Sequence, residues 1–148
     1  MKRAGFSLIE LLVVLVIVGV LMAQVVPAYQ QHMVRTRRGE ARSALLTLMM
    51  QQERFHTQHN SYVAFSAGSA DGEARHFHWW SGASAPTSAY EIEGKACDGE
   101  LISQCVQLIA RPGTAMVDSR FRDDDCRILT LTSTGLRLAS GPAPGCWP

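Results

Sequence analysis

Gly5-Phe6-Ser7-Leu8-Ile9-Glu10, set directly after Lys2 and Arg3 and opening an apolar run that ends at Ala23, is the stretch on which the reading of this chain turns. From Phe6 to Val26 the chain is long enough to cross a bilayer as a helix, because ~20 residues rising ~1.5 Å each cover the ~30 Å hydrocarbon core. Glu10 sits inside that run. A carboxylate there is costly without a partner, so it marks a function and predicts a group to pair with.

A secretory signal peptide has the same general form, a basic start and an apolar stretch. Here the basic region is two charges, no short apolar region ends in a small-residue cleavage site, and Gln24-Val25-Val26-Pro27 carries the run straight into an amphipathic pattern. An ordinary signal anchor leaves Glu10 and the Gly5–Phe6 junction unexplained. The motif Gly5-Phe6-Ser7-Leu8-Ile9-Glu10 resembles the class III signal of type IV pilins and pseudopilins. The resemblance implies cleavage by a prepilin peptidase between Gly5 and Phe6 and N-methylation of the new Phe6 amine. It also implies an assembly contact in which Glu10 pairs with the Phe6 amine of a neighbouring subunit. Physics agrees, since a buried carboxylate facing an ammonium is tolerated where a lone one is not.

Lys2 and Arg3 hold the short side of the span in the cytoplasm by the positive-inside rule, so everything after Pro27 faces the periplasm or the outside. Cys97, Cys105, Cys126 and Cys146 all fall in that exported part, where disulfides persist. About 120 residues remain beyond the span, enough for one small domain with one core. The formal net charge is +1; without residues 1–5 it is −1, and from His59 onward 7 basic face 10 acidic residues, net −3.

After Pro27 the period is helical: Ala41, Ala44, Leu45, Leu48, Gln52 and Phe55 fall on one face, with Arg37, Arg38, Arg42 and Arg54 assigned elsewhere on the wheel. One helix of ~50 residues, roughly 80 Å long, is expected, kinked or locally melted at Pro27. From Gln58 to Ala89 glycines, serines and a proline punctuate an irregular connection. Tyr90-Glu91-Ile92, Cys105 to Arg111, Cys126 to Thr132 and Leu136-Arg137-Leu138 read as antiparallel strands, with Ser133-Thr134-Gly135 as a turn. The expected fold class is α+β: a long N-terminal helix packed by its second half on a small antiparallel sheet.

Four cysteines allow three connectivities. The turn signal Asp98-Gly99 favours Cys97 with Cys105 across a hairpin, which leaves Cys126 for Cys146 and the Trp147 tail; the sequence alone leaves the other pairings open. Gln52-Glu53-Arg54-Phe55 with Asn60-Ser61-Tyr62, then Cys126 leading into Leu129-Thr130-Leu131 and Gly135, then Cys146-Trp147, resembles minor pilins of the PilE type. The resemblance is close over residues 1–62 and from about Asp118 to Trp147 and weak between. It implies the type IV pilin fold, with a leader at 1–5, a transmembrane and filament-core helix at 6–26, and its amphipathic continuation at 27–58. The head would occupy 59–148, with a loop region at 59–89, a sheet at 90–139 and a D-region at 126–146 delimited by the Cys126–Cys146 bond.

Other groups have blander readings. His76 and His78 lack a third metal ligand nearby in sequence and read as loop; Trp79 and Trp80 read as packing or as a subunit interface. Asp123-Asp124-Asp125 with Asp118 lacks the spacing of a calcium loop and reads as a solvated acidic loop. Arg35, Arg37, Arg38 and Arg42, or Arg111, Arg120, Arg122 and Arg127, offer phosphate ligands, yet the negative head disfavours nucleic acid. No nucleophile elbow, phosphate loop or zinc signature supports an enzyme, and no cofactor or metal is expected. The sequence therefore points to a minor pilin anchored in the bacterial inner membrane and later displayed on a surface pilus, serving pilus assembly and pilus-dependent motility or adhesion. Its expected partners are other pilins, the prepilin peptidase and the inner-membrane assembly machinery. A type II secretion pseudopilin and a DNA-uptake pilin are the alternatives, and a membrane-anchored binding module is the competitor from another class.

Overall fold

The structure, a computed structural model, describes residues 7–69 and 72–147. Helix α1 runs over Leu8–His59, and the chain divides into two units, Met1–Arg35 and Thr36–Pro148, each receiving part of it. In the first unit every described residue from 7 to 26 is exposed. Its most apolar 18-residue window has a mean hydropathy of 2.8 with none of it buried, a surface that water does not favour and lipid or other apolar helices would. The helix continues through Pro27. Local melting at that residue is therefore corrected; a proline can be carried inside a helix at the loss of one hydrogen bond.

In the second unit α1 buries Ala41, Leu45, Leu48 and Gln52, with Ala44 and Phe55 packed at the margins. The sheet they cover is an antiparallel meander of β1 (Tyr90–Ala96), β2 (Val106–Pro112), β3 (Leu129–Thr132) and β4 (Arg137–Ala139), in the order β1-β2-β3-β4. Tyr90, Ile92, Val106, Leu108 and Leu129 are fully buried in its core. Strand β1 extends past the expected Ile92 to Ala96, and β3 starts at Leu129 rather than Cys126. The second change has a backbone cause: Arg127 sits at φ +54°, which no strand residue adopts.

The connection from the helix to β1 is less loose than its composition suggests. Two 3₁₀ turns, Ala74–His76 and Ala85–Thr87, punctuate it, and it docks on the outer edge of β1. Phe65 and Gly94 exchange backbone hydrogen bonds of 3.0 and 2.9 Å, and Trp80 bridges to Glu91. Gly94 has to be glycine, since a Cβ there would lie 2.5 Å from the Phe65 ring. The loop thereby covers an edge that would otherwise present unpaired backbone groups.

Candidate functional site

Of the residues expected at the cleavage site and the assembly contact, Gly5 and Phe6 lie outside the described residues. Glu10 is exposed in the first turns of α1, with no partner among the described residues.

In the second unit, chemistry-bearing side chains converge where the helix meets the loop closed by the second disulfide. Arg38 is 8% exposed and grips Asp123 in a two-point ion pair, Nε to Oδ2 at 2.8 Å and Nη2 to Oδ1 at 2.6 Å, with a further 3.3 Å contact from Nη2 to Asp125. The Tyr90 hydroxyl donates to the same carboxylate, and the Cys126 N–H donates to it at 3.1 Å. Burial pushes the Asp123 carboxyl up, but the hydrogen bonds from Arg38, Tyr90 and Cys126 outweigh it and hold the group below its ordinary value. Asp123 raises Arg38 in turn against the effect of burial, and burial with Asp123 raises Tyr90. The placement corrects two expectations. Arg38 belongs to the buried stripe rather than to the solvated face, and Asp123 is an ion-pair partner rather than part of a solvated acidic loop. Only Asp124 and Asp125 of that run are exposed.

The disulfides join Cys97 to Cys105 and Cys126 to Cys146, with Cα–Cα distances of 5.4 and 5.6 Å. The first closes the β1–β2 hairpin, where Gly99 takes φ +82°. The second lies beside the ion pair, and Arg42 Nη1 donates to the Cys146 carbonyl at 3.1 Å. One helix turn thus holds both ends of the C-terminal loop. Further along, Gln52 makes paired bonds of 2.7 and 2.9 Å with the Val63 backbone, a buried amide that anchors the start of the connection.

The arginines proposed as phosphate ligands do not form a free cluster. Arg37 pairs with Glu40, Arg111 with Glu93, and Arg120 with Asp118, while Arg122 donates to the Ser119 and Phe121 carbonyls. Arg127 is exposed. His76, His78 and Trp80 face the α1 residues Ser43, Thr47 and Gln51 across an open groove of about 670 Å³. No group of three or more potential metal ligands occurs among the described residues. Trp79 packs against the core, and Trp80 lies against it edge-on with ring centroids 5.1 Å apart.

A family model described as "Type IV minor pilin ComP, DNA uptake sequence receptor" matches residues 27–130, and one described as "Prokaryotic N-terminal methylation motif" matches residues 1–23. The chain belongs to the type IV pilin family. The first of these matches takes in the second half of α1, the docked connection and the sheet as far as β3; the second takes in Gly5, Phe6 and Glu10. A relative, the type IV major pilin protein PilA of Myxococcus xanthus, is 32% identical over 65 residues. That segment is 44% of this chain and spans 30% of the relative's length. The solved structure of a type IV pilin from Shewanella oneidensis aligns over 78% of this chain and 98% of its own, with a TM-score of 0.48 and 22% identity. Type IV pilins are structural rather than catalytic proteins, and the exposed apolar helix with its methylation motif fits a membrane-anchored pilin.

Arg38 and Tyr90 are the site residues that sequence reasoning missed. A signal for the first existed: Arg38 lies three residues before Ala41 and so extends the apolar stripe by one turn.

Proposed function

We propose that this pilin is a minor subunit of a type IV pilus that acts by incorporation, supporting assembly and pilus-dependent motility or adhesion. The observation that carries the reading is the wholly exposed apolar helix from Leu8 to Val26, which has Glu10 near its start and a separately stapled head beyond it. Such a helix is stable in lipid and equally stable among the like helices of a filament, so transfer between the two is a small step in free energy. Prepilin peptidase cuts between Gly5 and Phe6, Phe6 is methylated, and its ammonium faces Glu10 of a neighbour. Pro27 bends the helix where the apolar half ends. The head is periplasmic before assembly and surface-displayed after it, and other pilins and the inner-membrane assembly machinery are its partners. The family description supports minor over major.

The test is quantitative mass spectrometry of sheared, purified filaments for an N-terminal peptide beginning with methylated Phe6. A trace amount relative to the main subunit is expected. Dominance would make this the major pilin, and processed protein confined to the membrane would favour a secretion pseudopilin.

A second reading, DNA reception, is favoured by the description of the family matched over residues 27–130. The head's charge of −3 and its largely engaged arginines weigh against it. A gel-shift titration decides: binding whose affinity falls steeply with salt supports reception, and absence of binding at low salt removes it.

A further inference from the structure

The open groove between the second half of α1 and the segment from His76 to Gly82 is used by neither reading above, and its lining is chemically particular. Ser43, Thr47 and Gln51 recur every four residues, so they form one row along the helix, and all three are exposed. Their hydroxyls and amide make no hydrogen bond with other described residues. The opposite wall holds the Trp80 indole with the His78 ring tilted against it, centroids 4.6 Å apart, and the indole N–H is buried without an acceptor. At about 670 Å³ the groove is of the size that holds a small organic ligand.

Charge narrows the choice of ligand. Glu40 is the one acid in the lining and is held by Arg37 at 3.1 Å, and no lysine or arginine lines the groove. A phosphate, sulfate or uronate would find no lysine or arginine there and only the His76 and His78 rings to donate to it, so an anionic ligand would be poorly compensated for its desolvation. A purely apolar ligand would strip water from the hydroxyl and amide row and return no hydrogen bond. An extended peptide adding to the sheet is blocked, because Phe65 and Trp80 already bridge to the β1 edge. The remaining chemistry is a molecule with many neutral hydroxyls and one apolar face. A pyranose has that form: its hydroxyls suit the Ser43, Thr47 and Gln51 row, and its C–H face suits the electron-rich face of an indole.

We propose that the groove between Ser43, Thr47 and Gln51 on the helix and His78 and Trp80 on the connection is a binding site for a neutral saccharide. The site rests on the head alone, so it stands or falls apart from the filament reading.

The test is a titration of intrinsic tryptophan fluorescence of the full processed chain in a zwitterionic, sugar-free detergent. The probes are glucose, galactose, mannose and N-acetylglucosamine as methyl glycosides, with lactose and, as the anionic comparison, sialyllactose. A saturable response to at least one neutral glycoside is expected, weaker by about tenfold in Gln51→Ala, the loss of roughly one good ligand contact. Trp80→Ala should weaken binding at least as much. Because Trp80 also braces the loop, Thr47→Trp is the safer variant: it fills the groove from an exposed helix position and should abolish the response. Thr57→Ala, on the same helix but outside the groove, should leave it unchanged. Silence with all the neutral probes, a response that survives Thr47→Trp, or tighter binding of sialyllactose overturns the proposal.

Discussion

The two parts of α1 each place a charge on an otherwise apolar face, and they satisfy it in opposite ways. In the second unit Arg38 joins the stripe of Ala41, Leu45 and Leu48 and is met within the chain by Asp123 and Asp125, with the Tyr90 hydroxyl donating to Asp123. In the first unit Glu10 sits on a helix whose described side chains up to residue 26 are all exposed, and nothing described answers it. One charge is answered inside the fold, and for the other we propose an answer supplied by association. The contrast teaches that this helix is two elements in one: a core helix of the head, and a helix whose core is supplied by lipid or by other subunits.

The sharpest way to break the contrast is to remove the internal partner. Asp123→Ala leaves the buried Arg38 guanidinium with only its 3.3 Å contact to the exposed Asp125 and strips an acceptor from Tyr90 and from the Cys126 N–H. We expect a loss of about 3–5 kcal/mol in head stability, read as a lowered urea midpoint of the full chain in micelles by near-ultraviolet circular dichroism. A loss below ~1 kcal/mol, the scale of an exposed pair, would mean that water reaches the site and that Arg38 is not a core residue.

Next in size is the staple beside it. Removing the second disulfide as Cys126→Ser with Cys146→Ser opens a loop of sequence separation 20, and about 3 kcal/mol is expected in the chain-entropy model. Arg42 holds the Cys146 carbonyl and Trp147 Nε1 donates to the Leu138 carbonyl at 2.8 Å, so the tail keeps other ties and the head should remain folded. If the variant is unfolded at 25 °C, the ion pair contributes less than argued above.

Acid and base probe the same node more gently. The folded Asp123 carboxyl lies below its ordinary 3.8, so its contribution is complete above that value and is lost as pH falls through the depressed folded one. Tyr90 is raised from 10.0, so its contribution is complete below that value and is lost as pH rises above it. Stability should therefore fall below about pH 4 and above about pH 10. Tyr90→Phe should flatten the alkaline limb of a midpoint-against-pH curve; an unchanged limb would assign it to other groups.

How much of this was legible in the sequence depended on whether the signal was local. The apolar run, the stripe on the second half of α1 and the turn at Gly99 are local patterns, and the structure contains each where its residues predict it. Strand β1 runs beyond the expected Ile92, through Gly94, a residue type that strands disfavour. It is present because the Phe65 ring lies where a Cβ would be, a contact with a residue 29 positions earlier. Arg38 and Asp123 are separated by 85 residues, and each alone resembles an ordinary surface charge. The groove depends on a distant pairing in the same way, since Ser43, Thr47 and Gln51 become one of its walls only where the connection lies opposite them.

The smallest effect on the head should come from Glu10. Glu10→Gln keeps the shape of the side chain and removes its charge from a position with no described contact to the head, so the urea midpoint should not move. Incorporation into filaments should nevertheless fall by about tenfold or more, since a charge pair contributing ~1.4 kcal/mol is already a factor of ten in an equilibrium. The measurement is the ratio of methylated Phe6 peptide in filaments to that in membranes, for variant and parent expressed equally. The pair of readings is what matters. A moved midpoint with normal incorporation would make Glu10 a folding residue and reverse its contrast with Arg38. An unmoved midpoint with normal incorporation would leave the apolar helix as a simple anchor, whose acid neither folding nor assembly requires.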